Sequence, residues 1–111
     1  MKKLITSAFL LLILVSAQAG NDTPEQLRTK ATESTRQLAQ KIGFNEQEYI
    51  KVKAYTLEKL IAAKEVNEMY SNDPEMRAKK LMAIEEEYQK NVVAILSPKQ
   101  SESFVALSKT N

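Results

Sequence analysis

The sequence predicts an all-α fold, an elongated helical hairpin with flanking helices and about four helices in all. Three observations support this fold class. Each of the three prolines follows a residue that commonly caps a helix, as in Asp73-Pro74. Glycine is rare, with only Gly20 and Gly43 in 111 residues. No segment alternates apolar and polar residues with an enrichment in β-branched side chains, so strands are not expected.

The first predicted helix covers residues 24–42, with Thr23 as its cap and Gly43 as its stop. Its apolar residues form a thin stripe: Leu27, Ala31, Leu38 and Ile42. Several Ser and Thr residues near its start lower its intrinsic helix propensity. We therefore expect this helix to depend on its neighbours for stability.

The second predicted helix covers residues 46–70 and the third covers residues 74–96, with a short polar turn between them. Such a turn between two long helices predicts an antiparallel hairpin. At 1.5 Å per residue the second helix is about 37 Å long, whereas a compact chain of this size is roughly 30 Å across. An elongated, shallow molecule is therefore expected. A short fourth helix, residues 98–108, supplies three apolar side chains: Phe104, Val105 and Leu107.

The N-terminus has the pattern of an export signal. Lys2 and Lys3 precede the apolar residues 8–15, and small residues then end in an A-x-A pattern at Ala19. The apolar run is shorter than the roughly 20 residues that a membrane span requires. We therefore expect residues 1–19 to be a cleaved signal peptide. Residues 20–111 then form one exported domain without a stable membrane anchor, periplasmic in location or secreted where there is no outer membrane.

The composition argues against several function classes. Without Lys2 and Lys3 the chain has 14 basic and 14 acidic residues, so no basic surface for nucleic acid is indicated. There is no histidine and no cysteine, hence no thiol nucleophile, common soft-metal ligand set or disulfide framework. The acidic residues 85–87 fan around one helix near several lysines, which predicts a solvated face. We expect a protein that is not an enzyme and that binds no cofactor or metal.

Two short motifs, 52 positions apart, each predict the start of a helix. The first consists of Phe44, Asn45 and Glu48, and the second consists of Leu96, Ser97 and Gln100. Each begins with an apolar residue that can fold onto the following helix as a hydrophobic staple. A capping residue follows, and three positions later a Glu or Gln can reach back to the cap amide. These are the capping boxes of the second and fourth predicted helices.

The second predicted helix has apolar residues on two sides. One stripe consists of Ile50, Ala54, Leu57 and Ile61, with Leu60 beside it. The other consists of Val52, Tyr55, Lys59, Ala62, Val66 and Met69. Two interpretations remain open. Either both stripes are buried, one under the third helix and one under the first and fourth, or part of the second stripe is exposed as a concave surface or dimer contact. In the second case its six residues are the candidate contacts for a client or partner.

The two motifs resemble the L-T-x-x-Q motifs of the Spy/CpxP family of periplasmic chaperones and stress-response proteins. The resemblance is best in residues 87–107 and extends over residues 44–107. It implies an antiparallel homodimer of bent helical hairpins, with a concave surface that holds partly folded clients. The motif residues would then be structural, since they orient the helices rather than contact the client.

The resemblance implies one of two related functions. The protein would be an ATP-independent chaperone for apolar segments of unfolded envelope proteins, or it would dampen an envelope-stress sensor. The alternative is a non-catalytic helical adaptor or structural module with one dedicated protein partner. A client-binding surface must be exposed, so a fully buried second stripe favours the alternative.

Overall fold

The computed structural model describes residues 22–110, which contain four α-helices and no strand. The helices are α1 (Pro24–Ile42), α2 (Glu46–Met69), α3 (Pro74–Ile95) and α4 (Pro98–Thr110). The predicted all-α class is confirmed for this part of the chain, and the predicted helix bounds agree to within about two residues. The predicted signal peptide lies outside the described residues.

Three of the four helices begin with a complete capping box. The pairs are Thr23 with Gln26, Asn45 with Glu48, and Ser97 with Gln100. α3 is capped by Asp73, whose Oδ1 accepts a hydrogen bond from the Met76 amide at 3.1 Å. These bonds satisfy amides that have no partner within their own helix, which fixes where each helix starts.

α1 is followed by its C-terminal cap Gly43, whose φ of 82° lies in the region that favours glycine. Its amide donates to the Ala39 carbonyl at 2.8 Å and so continues the hydrogen bonding of α1 by one residue. Only residues 43–45 separate α1 from α2. The glycine therefore permits the tight reversal that lays α1 alongside α2.

α2 is the central helix of the molecule. α1 packs along one side of it and α3 along another, and short loops make both neighbours antiparallel to it. α4 packs against α1 and α3. The molecule measures 41 × 37 × 18 Å, with a radius of gyration of 13.8 Å against about 12 Å for a compact globule of this size. The predicted α2–α3 hairpin is present, and α1 extends it into a shallow, flat layer.

Most of the buried apolar side chains, all except Ala63 and Leu81, form two clusters along α2. The first lies between α1 and α2 and consists of Leu27, Ala31 and Leu60, with Leu57 packed against it. The second joins α2, α3 and α4 and consists of Val52, Tyr88, Val92 and Phe104. Partly buried side chains from α1 and from both capping motifs surround this second cluster, among them Leu38, Phe44 and Leu96. The second cluster is therefore where all four helices meet.

Both interpretations of α2 place the first stripe in the core, and this prediction is wrong. Ile50 is 54% exposed and Ile61 is 43% exposed, and Ala54 between them is also exposed. Leu57 alone is half-buried, because it packs against the cluster on α1. α1 and α3 approach α2 from directions that leave this face to solvent. We call Ile50, Ala54, Leu57 and Ile61 the outer stripe.

No helix within residues 22–110 combines the length and the apolar character needed to cross a membrane.

Candidate binding surface

The two capping motifs lie side by side in the structure. The Gln100 side chain closes its own box by accepting from the Ser97 amide at 2.9 Å through Oε1. Its Nε2 then donates to the Gly43 carbonyl at 2.6 Å and to Glu48 Oε1 at 3.1 Å. One amide side chain thus ties the start of α4 to the loop between α1 and α2.

Glu48 is correspondingly held as a carboxylate. Its Oε1 accepts from the Asn45 amide at 2.9 Å and from Gln100. These two hydrogen bonds, the backbone one first, lower the pKa of Glu48 below its ordinary value. The apolar members of the motifs, Phe44 and Leu96, are half-buried against the second core cluster, as hydrophobic staples would be. All six motif residues therefore occupy structural positions.

The candidate contact residues of the second stripe are not equally accessible. Val52 is 0% exposed and belongs to the second core cluster, so no client or partner can contact it while the helices stay packed. Tyr55, Lys59, Ala62 and Val66 are half-buried, and Met69 near the hairpin tip is mostly exposed. The structure therefore assigns Val52 to the core.

Three of these residues line a groove between α2 and α3. This α2–α3 groove has a volume of about 170 Å³. Its lining consists of Tyr55, Glu58, Lys59, Ala62, Ile84, Glu87, Tyr88 and Asn91. The lining contains both apolar and charged side chains and is open to solvent, so the groove can hold an amphipathic segment but offers no enclosed pocket.

Lys59 does not project freely into this groove. Its Nζ is 3.2 Å from Glu85 Oε1 and lies 4.0 Å from the centre of the Tyr88 ring, the geometry of a cation–π contact. Glu85 is buried, and its Oε2 accepts from Gln89 Nε2 at 3.3 Å. The prediction of a solvated face for residues 85–87 is therefore wrong for Glu85, because α2 brings a lysine to it. Glu86 and Glu87 are exposed as expected.

Tyr88 is fixed on its other side by Thr56. The Thr56 hydroxyl donates to the Val52 carbonyl at 2.7 Å, so the Tyr88 hydroxyl donates to Thr56 Oγ1 at 3.0 Å. Burial raises the pKa of Tyr88 to about 12. Thr56 lies at the centre of the buried face of α2. Because Thr56 is polar, the pattern of apolar residues in α2 does not indicate that this face is the buried one.

The outer stripe is the other apolar surface of α2. Its members follow one another at intervals of four, three and four residues, the spacing of a helix seam that packs onto another helix. Charged side chains border it, with Lys51 toward its start and Glu58 and Glu65 toward its end, all three exposed. Sequence reasoning found this stripe but placed it in the core. The thin apolar stripe of the short, Thr-rich α1 indicated that α1 could not bury a whole face of α2.

A second depression lies beneath the end of α4. This α4 cleft has a volume of about 200 Å³ and separates the last two turns of α4 from α1 and α3. Its apolar walls consist of Leu38, Phe104 and Leu107. Polar side chains of α1 and α3, including Lys41 and Gln89, complete the lining. The end of α4 thus lies over a depression, although Leu107 and Ser108 are half-buried.

Residues 22–110 hold no cluster of three or more acidic residues that could bind a metal ion. No protein-family model matches the chain, and comparisons with curated proteins and with solved structures also give no match.

Proposed function

We propose that this chain is a small exported protein of the Spy/CpxP type that acts without ATP. It binds apolar segments of unfolded envelope proteins, or dampens an envelope-stress sensor through the same surface. The observation that carries the proposal is the outer stripe, which exposes two isoleucines and an alanine on one face of the central helix. Exposed apolar patches bordered by polar residues are typical of interaction surfaces.

The geometry of the outer stripe suits weak and general binding. It is an open helix face next to the shallow α2–α3 groove, so an unfolded segment can contact it without entering a pocket. Both Lys51 and Glu58 border it, and the exposed Met69 lies toward the far end of the same helix. Methionine and a mixed charge border allow contact with clients of different sequence.

The test is an ATP-free aggregation assay with residues 20–111 and a chemically unfolded client. We expect light scattering to fall at near-equal molar ratio. The double variant Ile50→Ser and Ile61→Ser should lose most of this protection, because it removes the apolar contacts. The matched control is Glu86→Ser with Lys90→Ser, which changes two exposed positions of α3 outside the outer stripe and its border and should protect like the wild type. Equal protection by both double variants would remove the outer stripe from the proposal.

A dedicated-partner adaptor is the second candidate function, and the spacing of the outer stripe favours it. A seam with intervals of four, three and four residues fits a partner helix better than an extended segment. An adaptor should fail to protect several unrelated clients even at tenfold excess. The Ile50→Ser, Ile61→Ser variant of an adaptor should also lose most of its binding to the dedicated partner. General protection of unrelated clients would exclude this candidate.

A further inference from the structure

α4 is held to the rest of the molecule by one buried aromatic side chain, by the half-buried Val105 and by a small set of hydrogen bonds, among them one from Ser101 Oγ to the Val93 carbonyl at 3.3 Å. Phe104 is 3% exposed, and it is the one side chain among α4 residues 98–109 that is fully buried. Its ring meets the Tyr88 ring edge to face, with 6.1 Å between the centroids. The Gln100 hydrogen bonds to Gly43 and Glu48 anchor the start of the helix. The docking of α4 therefore depends on a small number of contacts near its first two turns.

The second half of α4 lies over a depression. The α4 cleft runs beneath it, between Leu107 and Ser108 on one side and Leu38 and Gln89 on the other. With 13 residues, α4 is also near the length below which an isolated helix is marginal in water. Detachment of α4 gives up the packing of Phe104, Val105 and Leu107, and it uncovers the side chains beneath Phe104.

The site beneath Phe104 is built by residues that do not need α4. We call Val52, Tyr88 and Val92 the aromatic socket, since Phe104 packs against these three in the second core cluster. Thr56 fixes the hydroxyl of Tyr88, and the Lys59 ammonium lies over its ring. Both contacts come from α2, so they hold the Tyr88 ring in place whether or not Phe104 is bound.

We propose that the aromatic socket is a second binding site, occupied in cis by Phe104 and able to accept an aromatic side chain of another polypeptide when α4 detaches. The cis occupant indicates the chemistry of the ligand, a Phe-like ring on an apolar or amphipathic segment that meets Tyr88 edge to face. The site deepens the proposed function, because α4 then limits how much apolar surface the protein offers. It also brings the buried Val52 back into a binding role.

The test uses a labelled peptide of residues 97–110, which carries the cis occupant itself, and measures its binding to the purified protein. We expect weak binding to the wild type and at least about tenfold tighter binding to the Phe104→Ala variant, because the cis competitor has lost its ring. A peptide with the same Phe104→Ala change should not bind. Ser103→Ala, an exposed position of α4, is the matched protein control and should bind like the wild type.

A second variant covers the case in which Phe104→Ala loses its helical circular dichroism. Gln100→Ala removes the hydrogen bonds from the start of α4 to Gly43 and Glu48 and leaves the core side chains intact, so it should also bind the peptide more tightly than the wild type. Binding equal to that of the wild type would overturn the proposal. So would a folded Phe104→Ala variant that does not distinguish the two peptides.

Peptide binding is measured without a client, so the two proposals fail separately. Selective peptide binding without protection of any client would refute the chaperone function and keep the aromatic socket. Client protection without selective peptide binding would keep the chaperone function and refute the aromatic socket.

Discussion

Gln100 Nε2 and Glu48 Oε1 are 3.1 Å apart, although the two residues are separated by 52 positions in the sequence. Each closes the capping box of its own helix, and the hydrogen bond joins the two boxes. The same Nε2 donates to the carbonyl of Gly43, the residue that ends α1. A local device for starting helices is therefore also a tertiary contact that fixes α4 against the α1–α2 loop.

Gln100→Ala should destabilise the protein more than the loss of a helix cap alone. The cap contact is worth about 1 kcal/mol, and the hydrogen bonds to Gly43 and Glu48 add on the order of 1 kcal/mol. We expect the free energy of unfolding, measured with urea, to fall by roughly 2 kcal/mol. Gln47→Ala, an exposed position of α2, should change it by less than about 0.5 kcal/mol. Similar losses in both variants would show that the contact between the boxes contributes nothing.

The lowered pKa of Glu48 makes this contact sensitive to acid. A carboxyl group whose pKa is lower in the folded state binds its proton more weakly there than in the unfolded chain. Its contribution to stability is therefore present above its ordinary pKa of 4.5 and is lost as the pH falls through the lower folded value. Glu48→Gln should flatten the decrease of stability below about pH 4.5.

The measurement compares the urea midpoints of wild type and Glu48→Gln over a pH series. Glu46→Gln is the matched control, since Glu46 lies in the same first turn of α2 and is exposed. The wild type and this control should decline together in acid. Parallel curves for all three proteins would contradict the assignment of the acid-sensitive contact to Glu48.

Replacing only one member of the Lys59–Glu85 ion pair should reduce the free energy of unfolding substantially. Removing the ammonium leaves a buried carboxylate whose remaining side-chain donor is Gln89, so Lys59→Met should cost about 2 to 4 kcal/mol. The double variant Lys59→Met, Glu85→Leu should be more stable than Lys59→Met, because it removes the unpaired charge as well. A double-mutant cycle by urea unfolding checks this. Additive losses would mean that the two side chains are not coupled.

Much of the fold was predictable because its boundaries are set by local chemistry. Proline and a capping residue mark the start of α1, α3 and α4, and Gly43 marks the end of α1. These signals act within three or four residues and are visible without knowledge of tertiary structure. The all-α class and the α2–α3 hairpin follow from them.

The orientation of α2 was not predictable in the same way. It has apolar residues around most of its surface, so its periodicity does not indicate one buried face. Which face is buried depends on where α1 and α3 pack, and the buried centre includes the polar Thr56 and the small Ala63. The burial of Glu85 was missed for the same reason, since its partner Lys59 is 26 positions away.

The orientation of α2 leads to a direct test with two neighbouring apolar residues. Val52 is 0% exposed and Ile50 is 54% exposed, although both were apolar candidates for the core. Val52→Ala should reduce the free energy of unfolding by about 2 kcal/mol, because it leaves a cavity beside Tyr88 and Val92. Ile50→Ala removes a larger side chain but should cost less than about 0.5 kcal/mol, since most of that side chain is in solvent and alanine favours the helix. Urea unfolding of the two variants measures both losses in free energy of unfolding. A greater loss for Ile50→Ala would place the outer stripe in the core, and the proposed client surface would then have to be sought elsewhere on the molecule.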